Sequence, residues 1–433
     1  MISFTDKSDI DMEHILGPGG IVSKAFEGFE VRHQQIEMAK GVKSAFDKEH
    51  HLAAEAGTGV GKSFAYLVPA IQKVCQEDCR IVISTYTINL QQQLINKDIP
   101  FLADILPFKF DATIAKGRSN YICLRRLQYA MDRQRSLFDD MGAELAVINQ
   151  WAKKTDDGSL SDLSTQPSLD VWDAIQSEHG NCLGRKCPFY SNCFYWRARR
   201  RLESANIIIA NHALLFSDLI LKEQFTGILP DCRYVVIDEA HNIEHVAEDH
   251  FGINISNFTL TYLLRKIYNR KTNKGLLAFV NAGDDAISCV DECDKAAKEF
   301  FENIKDWHAE SSKEGFATCP KNFVKDTVTE QFRHLRLKLA EIANKCEDEN
   351  QQCEFTRYIE RCKGVEVDLQ KFLAQQEEGS VYWVEMTGNR RRRCALRSAP
   401  INVGPDVKRC LFDKFESVIT TSATLSCHEI GRA

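Results

Sequence analysis

Proline is scarce, at 10 of 433 residues, and glycine adds only 23. That excludes collagen-like chains and long low-complexity linkers. No run of about 18 apolar residues occurs, so no transmembrane helix is expected. The opening residues, Met1-Ile2-Ser3-Phe4-Thr5-Asp6-Lys7, have no cationic start leading into an apolar stretch. No secretory leader is therefore visible, no membrane partner is expected, and the expected location is cytoplasmic. A positive balance is missing too: 55 Lys and Arg stand against 61 Asp and Glu, a net charge of −6. This does not exclude nucleic acid, because local charge decides that and the sum does not. With 44% hydrophobic and 27% charged residues, a disordered chain is excluded. At about 150 residues per domain the length suggests roughly three units.

Cysteine is abundant, at 16 residues. In a reducing compartment a disulfide framework is not expected, so clustered cysteines point to metal or redox chemistry. Most of the others are expected to be buried thiols. That covers Cys75 and Cys79, Cys289 and Cys293, and Cys346, Cys353 and Cys362, which lack neighbours with ligand-like spacing.

There is no internal repeat. Short apolar segments alternate with helical stretches, the pattern of a mostly parallel α/β sheet. The expected strands are His51–Glu55, Arg80–Thr85, Asp111–Ala115, Ala205–Ala210, Tyr234–Asp238 and Ser417–Thr421. Two stretches break this rhythm. One, from Gly117 to Ser204, is rich in Cys, Arg and aromatics. The other, from Ile243 to Gly379, is charged and helical in period. Val381–Glu385 reads as a strand again, so the chain is expected to return to the sheet there. The expectation is one sheet domain with two insertions: residues 1–116, 205–242 and 380–433 form the sheet, and 117–204 and 243–379 are inserted.

Ala56-Gly57-Thr58-Gly59-Val60-Gly61-Lys62-Ser63 follows an expected strand and opens an expected helix. Glycines let backbone N–H groups approach phosphate oxygens, and a helix N-terminus favours anions. In that pattern Lys62 reaches the β- and γ-phosphates and Ser63 holds Mg²⁺. The bland alternative is a glycine-rich turn. Val235-Val236-Ile237-Asp238-Glu239-Ala240-His241 is an apolar strand ending in two carboxylates. Asp238 suits Mg²⁺ and Glu239 suits activation of an attacking water; alone, such a pair is more often a solvated turn.

Together, Ala56–Ser63 and Asp238–His241 resemble the signature motifs of superfamily 2 helicases, which often accept Ala at the first glycine position. Phe29-Glu30-Val31-Arg32-His33-Gln34-Gln35 is similar to the adenine-reading motif of that family, with Arg32 and Gln35 at the matching positions. Thr87-Ile88-Asn89-Leu90-Gln91-Gln92-Gln93 resembles its first strand-contact motif, and Asn211-His212-Ala213-Leu214-Leu215 a segment of the DinG and XPD branch. Thr421-Ser422-Ala423-Thr424-Leu425 resembles the motif that couples hydrolysis to movement, through Ser422 and Thr424. The resemblance runs from about Phe29 to Leu425. It implies a RecA-like P-loop lobe with an inserted iron–sulfur domain and an inserted helical, Arch-like domain. It implies a DNA helicase that hydrolyses Mg²⁺–ATP and moves 5′ to 3′ on single-stranded DNA, acting on forked or structured DNA in repair or replication. Lys62, Asp238, Glu239 and His241 are then the catalytic set. No oligomer is implied.

Cys182-x4-Cys187-x5-Cys193 lies downstream of Cys123. Four such thiolates suit a cubane iron–sulfur cluster, and by spacing alone they suit a Cys₄ zinc site equally. The resemblance implies the [4Fe–4S] reading, because DinG and XPD relatives carry four cysteines in this arrangement between the first helicase strands and the acidic motif. Arg118, Tyr121, Arg125, Arg126, Arg185, Lys186, Tyr190, Phe194, Tyr195, Trp196, Arg197 and Arg199–Arg201 surround them. Cations interleaved with aromatics suit single strands, and Arg118, Tyr195, Trp196 and Arg199 are the chosen DNA contacts. The alternative is a solvated basic helix with its rings in a core. Arg390–Arg393 is a second basic run, equally compatible with DNA contact and with an exposed hairpin. A second lobe, with its Gln-x-x-Gly-Arg-x-x-Arg segment and trans-cleft arginine, and an N-terminal nuclease are not expected within these residues. A rival expectation is therefore a nucleotide- and DNA-binding module with negligible turnover; another is a zinc-containing ATPase acting on RNA.

Overall fold

The computed structural model describes residues 9–134, 141–223, 227–311, 316–388 and 393–425. In chain order it runs α1 (His33–Asp47), β1 (Leu52–Glu55), α2 (Lys62–Glu77), β2 (Ile81–Thr85), β3 (Ala112–Ile114), α3 (Leu124–Gln134) and α4 (Phe194–Ser204). Then follow β4 (Ile207–Asn211), α5 (His212–Glu223), β5 (Tyr234–Asp238), β6 (Asn254–Ser256), α6 (Asn257–Ile267), α7 (Asp284–Ser311) and β7 (Phe316–Thr318). The chain continues through α8 (Thr329–Lys345), α9 (Glu349–Ala374), β8 (Ser380–Thr387), β9 (Arg393–Pro400) and β10 (Ser417–Ser422), with shorter helical pieces between. No described helix is long and apolar enough to cross a membrane.

Contacts divide the chain into two compact units: residues 1–117, 195–250 and 403–433, and residues 118–194 and 251–402. The first unit is built on a six-stranded sheet in the order β1-β10-β5-β2-β4-β3, paired in parallel throughout. β2 and β5 are buried at every position, so both faces are covered and their sequences read as continuous apolar runs. Ile81, Ile83, Ile207, Ile209, Val236 and Ile419 form one core with α1 and α2. All six expected strands are present in this sheet.

The second unit carries the long helices α7, α8 and α9 and an antiparallel sheet in the order β6-β9-β8-β7. Two expectations are corrected here. Val381–Glu385 is a strand, but it does not rejoin the parallel sheet. It pairs antiparallel with β9, from Ser380 opposite Pro400 to Thr387 opposite Arg393. An antiparallel partner is reached by a short connection, whereas a parallel one needs a crossover. The first unit therefore resumes at Val403, not at residue 380. Of the basic run, Arg390, Arg391 and Arg392 lie outside the described residues, and Arg393 begins β9.

The second correction is that the two expected insertions are one unit. Ion pairs that no local pattern announces hold them together. Arg126 Nε meets Glu354 Oε1 at 2.9 Å with both side chains buried. Arg361 bonds Glu178 at 2.9 Å and Asp173 at 3.3 Å, and Arg357 also pairs with Asp173. Burial pushes the Glu354 carboxyl up, but Arg126 and Arg357 hold it below the usual carboxylate range. Arg125 and Arg126, counted from sequence among DNA-facing cations, are thus interior residues, only 4% and 1% exposed. Tyr121 and Phe194 are buried as well. The apolar core of this unit centres on α7–α9, with Phe300, Phe332, Phe355 and Phe372 fully buried. Phe355→Ala is expected to destabilise the unit by about 3–5 kcal/mol, a loss of transfer energy plus a cavity. Urea unfolding followed by a probe in this unit measures it.

Candidate active site

All strands of the parallel sheet end on the same edge, and the motif residues sit just past those ends. This is where an open α/β sheet binds its ligands. Register makes the convergence concrete: Glu55 lies opposite Ser422, and Thr421 opposite Asp238. Ala56 N donates to Ser422 O at 2.9 Å, so the glycine loop starts on the strand that carries the Ser-Ala-Thr segment.

The loop turns at Gly59 and Gly61, with φ of 83° and 85°. Gly61 also admits the Gln35 side chain, whose Nε2 donates to Gly61 O at 2.9 Å; a Cβ there would lie 2.2 Å from that nitrogen. Position 61 thus needs glycine twice over. The contact also fixes Arg32–Gln35 against the loop. Phe26, Phe29, Arg32, Gln35, Gly61 and Phe64 help line a cavity of about 340 Å³ there. Its size and aromatic walls suit a purine base.

Lys62 opens α2, and its Nζ lies 3.1 Å from Glu239 Oε1. The lysine of the glycine loop and the second carboxylate of the acidic strand end therefore face the same point. Glu239 stands in the left-handed region, φ 53° and ψ 48°, which separates its side chain from that of Asp238. Asp238 is 3% exposed, and its Oδ2 accepts from Tyr66 OH at 3.0 Å. Burial pushes the Asp238 carboxyl up, while Tyr66 pulls it down. His241 Nδ1 is 2.7 Å from Ser422 Oγ and 3.4 Å from Glu239 Oε2. Ser422 Oγ in turn accepts from Thr424 N at 3.2 Å. One chain of contacts thus runs Lys62–Glu239–His241–Ser422–Thr424.

Sequence reasoning missed Tyr66. Its signal was spacing: four residues past Lys62, it shares the helix face turned to the sheet. It also gave His212 no role. His212 is 1% exposed, and its Nδ1 bonds Ser84 Oγ at 2.6 Å, joining the ends of β2 and β4. Its ring lies 6.1 Å from Tyr86, next to Thr87, whose Oγ1 caps the following helix by accepting from Leu90 N. Burial pushes the His212 pKa down to about 4, against the pull of the backbone of Asp238 and Glu239. An unfolded His protonates near 6.5. Stability from this neutral ring is therefore full above about pH 6.5 and is lost as pH falls towards about 4. His212→Gln is expected to flatten the fall of the urea midpoint between pH 7 and 5.

In the second unit, Cys123, Cys187 and Cys193 are part-exposed and Cys182 is exposed. Cys123 and Cys182 lie near enough to Cys187 to raise its pKa further, beyond the larger effect of burial. Gly184 N donates to Cys182 Sγ at 3.4 Å. No group of three or more His, Cys, Asp or Glu is assembled as a metal site among the described residues. Cys75, Cys79, Cys293 and Cys362, by contrast, are buried packing residues.

For the expected DNA contacts, Arg118 Nε donates to Ser177 Oγ at 3.2 Å. Tyr195 and Trp196 form an edge-on pair at 5.6 Å, both half-buried, and Arg199 meets Glu203 at 3.6 Å.

The sequence matches the DEAD/DEAH box helicase family over residues 33–127 and the DEAD_2 family over residues 169–260. It is 29% identical over 419 residues to the ATP-dependent DNA helicase YoaA of Escherichia coli K12, covering 95% of this chain and 62% of that protein. It is 35% identical over 254 residues to the ATP-dependent helicase DinG of Mycobacterium tuberculosis, covering 54% of this chain and 38% of that protein. A solved XPD helicase structure aligns with a TM-score of 0.49 and 12% identity, covering 92% of this chain and 59% of that one. The chain spans about three-fifths of the length of the YoaA relatives it matches.

The parallel sheet, the phosphate loop and the acidic strand end define a RecA-like motor unit of the superfamily 2 helicase class. Within that class the paired DEAD/DEAH box and DEAD_2 matches and the similarity to DinG and YoaA helicases support a DinG/XPD-like helicase.

Proposed function

We propose that this chain is the ATP-hydrolysing motor part of a DinG/YoaA-type DNA helicase. The convergence of Lys62, Asp238, Glu239, His241 and Ser422 at one sheet edge carries the reading. Ala56–Ser63 cradle the phosphates, with Lys62 on the β- and γ-phosphates, and Arg32 and Gln35 read adenine. Ser63 and Asp238 hold Mg²⁺, and Glu239 orients and deprotonates the attacking water. His241, Ser422 and Thr424 relay the state of the nucleotide to the strand-contacting segment. The partner is single-stranded DNA, reached at forked or structured sites in repair or replication, with 5′ to 3′ movement. Arg118, Tyr195, Trp196 and Arg199 are offered as strand contacts, and the protein works in the cytoplasm.

Cys123, Cys182, Cys187 and Cys193 would hold a [4Fe–4S] cluster. The donor set fits: four thiols on turns, three of them within electrostatic reach, with a backbone N–H already donated to one sulfur. The cluster, when bound, would supply a rigid metal-held node in this segment.

The test is phosphate release from ATP by the purified chain, alone, with single-stranded DNA and with single-stranded RNA. DNA-stimulated release that requires Mg²⁺ supports the reading. Stimulation by RNA alone, or tight nucleotide binding with no release under any condition, overturns it.

A further inference from the structure

We propose that Glu354 is the positioning residue of the cysteine site, bracing the segments that carry Cys123 and Cys182 against one helix. The inference rests on reading those cysteines as cluster ligands. Arg125 and Arg126 stand two and three residues past Cys123, and Asn181 directly precedes Cys182. A single carboxylate oxygen, Glu354 Oε1, accepts from Arg126 Nε at 2.9 Å and from Asn181 Nδ2 at 2.7 Å. One turn earlier on α9, Asn350 Oδ1 accepts from Arg125 NH1 at 2.7 Å, and Arg125 NH2 closes the brace on Asn181 O at 3.0 Å. Arg126, Asn181 and Glu354 are 1%, 1% and 7% exposed.

A buried, fully bonded cage of this kind has few alternative arrangements. It removes much of the freedom of two ligand segments that are remote in sequence, before any metal binds. Cys187 and Cys193, by comparison, are set by local turns: Cys187 N bonds Gly184 O, and Cys193 N bonds Tyr190 O. Hydrogen-bonding partners behind metal ligands typically change metal affinity by about 10–100-fold when lost. Coupling is reciprocal, so cluster loading stabilises α9 in return.

The test uses the full chain, prepared anaerobically, with iron release to a chelator as the readout. Glu354→Gln keeps the volume but removes the charge facing Arg126. It is expected to speed release by about 10–100-fold. Asn181→Ala, which removes only the donor beside Cys182, is expected to do so to a lesser degree. The control is Glu366→Gln on the same helix, where a similarly buried carboxylate pairs with Arg336 at 2.7 Å and with Arg333 at 3.8 Å, not with Arg126 or Asn181. It is expected to lower thermal stability without changing release. Hydrogen exchange of residues 349–361 is expected to rise when iron is stripped from the wild type. Equal release rates for Glu354→Gln, Glu366→Gln and the wild type would overturn the positioning role while the cluster reading stands. A wild type without iron and sulfide would instead overturn the ligand reading and the proposal with it.

Discussion

Glu239→Gln is expected to leave Mg²⁺–ATP affinity within about threefold while lowering turnover by roughly 10²–10⁴, the range of a positioned general base. The carboxylate stands 3.1 Å from Lys62, the lysine proposed to reach the phosphates. Gln keeps the volume and one acceptor oxygen but cannot take the proton. Ground-state binding rests on the loop N–H groups, Lys62 and Mg²⁺, which the substitution leaves in place. Lys62→Ala should act on the other term. It removes the loop side chain proposed to reach the outer phosphates, and binding itself is expected to weaken by tenfold or more, about 1.4 kcal/mol per decade. Calorimetry with ATP and phosphate release under saturating nucleotide separate the two variants. Equal losses of affinity in both would show that Glu239 serves binding and not chemistry.

The wild type is expected to be brown with about four irons per chain, and Cys187→Ser is expected to abolish both colour and iron. A serine oxygen is a poor ligand for iron held by three thiolates, and Cys123 and Cys182 lie near enough to Cys187 to act on it electrostatically. The same change should lower the melting temperature of residues 118–194, because a bound cluster would tie its turns together. Nucleotide binding should persist, because Lys62 and Glu239 belong to the other unit. Metal analysis after anaerobic preparation decides: one zinc and no iron in the wild type would sink the cluster reading.

The candidate motor residues were readable as segments because each segment is local. The Ala56–Ser63 loop and the Asp238–Glu239 pair each occupy a few consecutive residues, and each follows an apolar strand that alternation and length reveal. The cysteines were legible as a set by spacing, but spacing could not choose iron over zinc. Arg125 and Arg126 misled, since a cation beside an aromatic-rich segment reads as surface until its partner is found. That partner, Glu354, lies far along the chain in a helix whose own pattern shows only charge and apolar period. Val381–Glu385 misled differently: alternation identifies a strand but says nothing about which sheet accepts it.

The sequence by itself determined the six parallel strands, the glycine loop, the acidic strand end and the Ser-Ala-Thr segment, because each depends on neighbours within a few residues. Only the tertiary structure decided that Ser422 receives His241, that Tyr66 bonds Asp238, that His212 joins β2 to β4, and that residues 118–194 pack with 251–402 as one unit. The reason is that hydrogen bonds and ion pairs between remote residues gain their strength from shared burial, and burial belongs to the packed chain, not to any window of it.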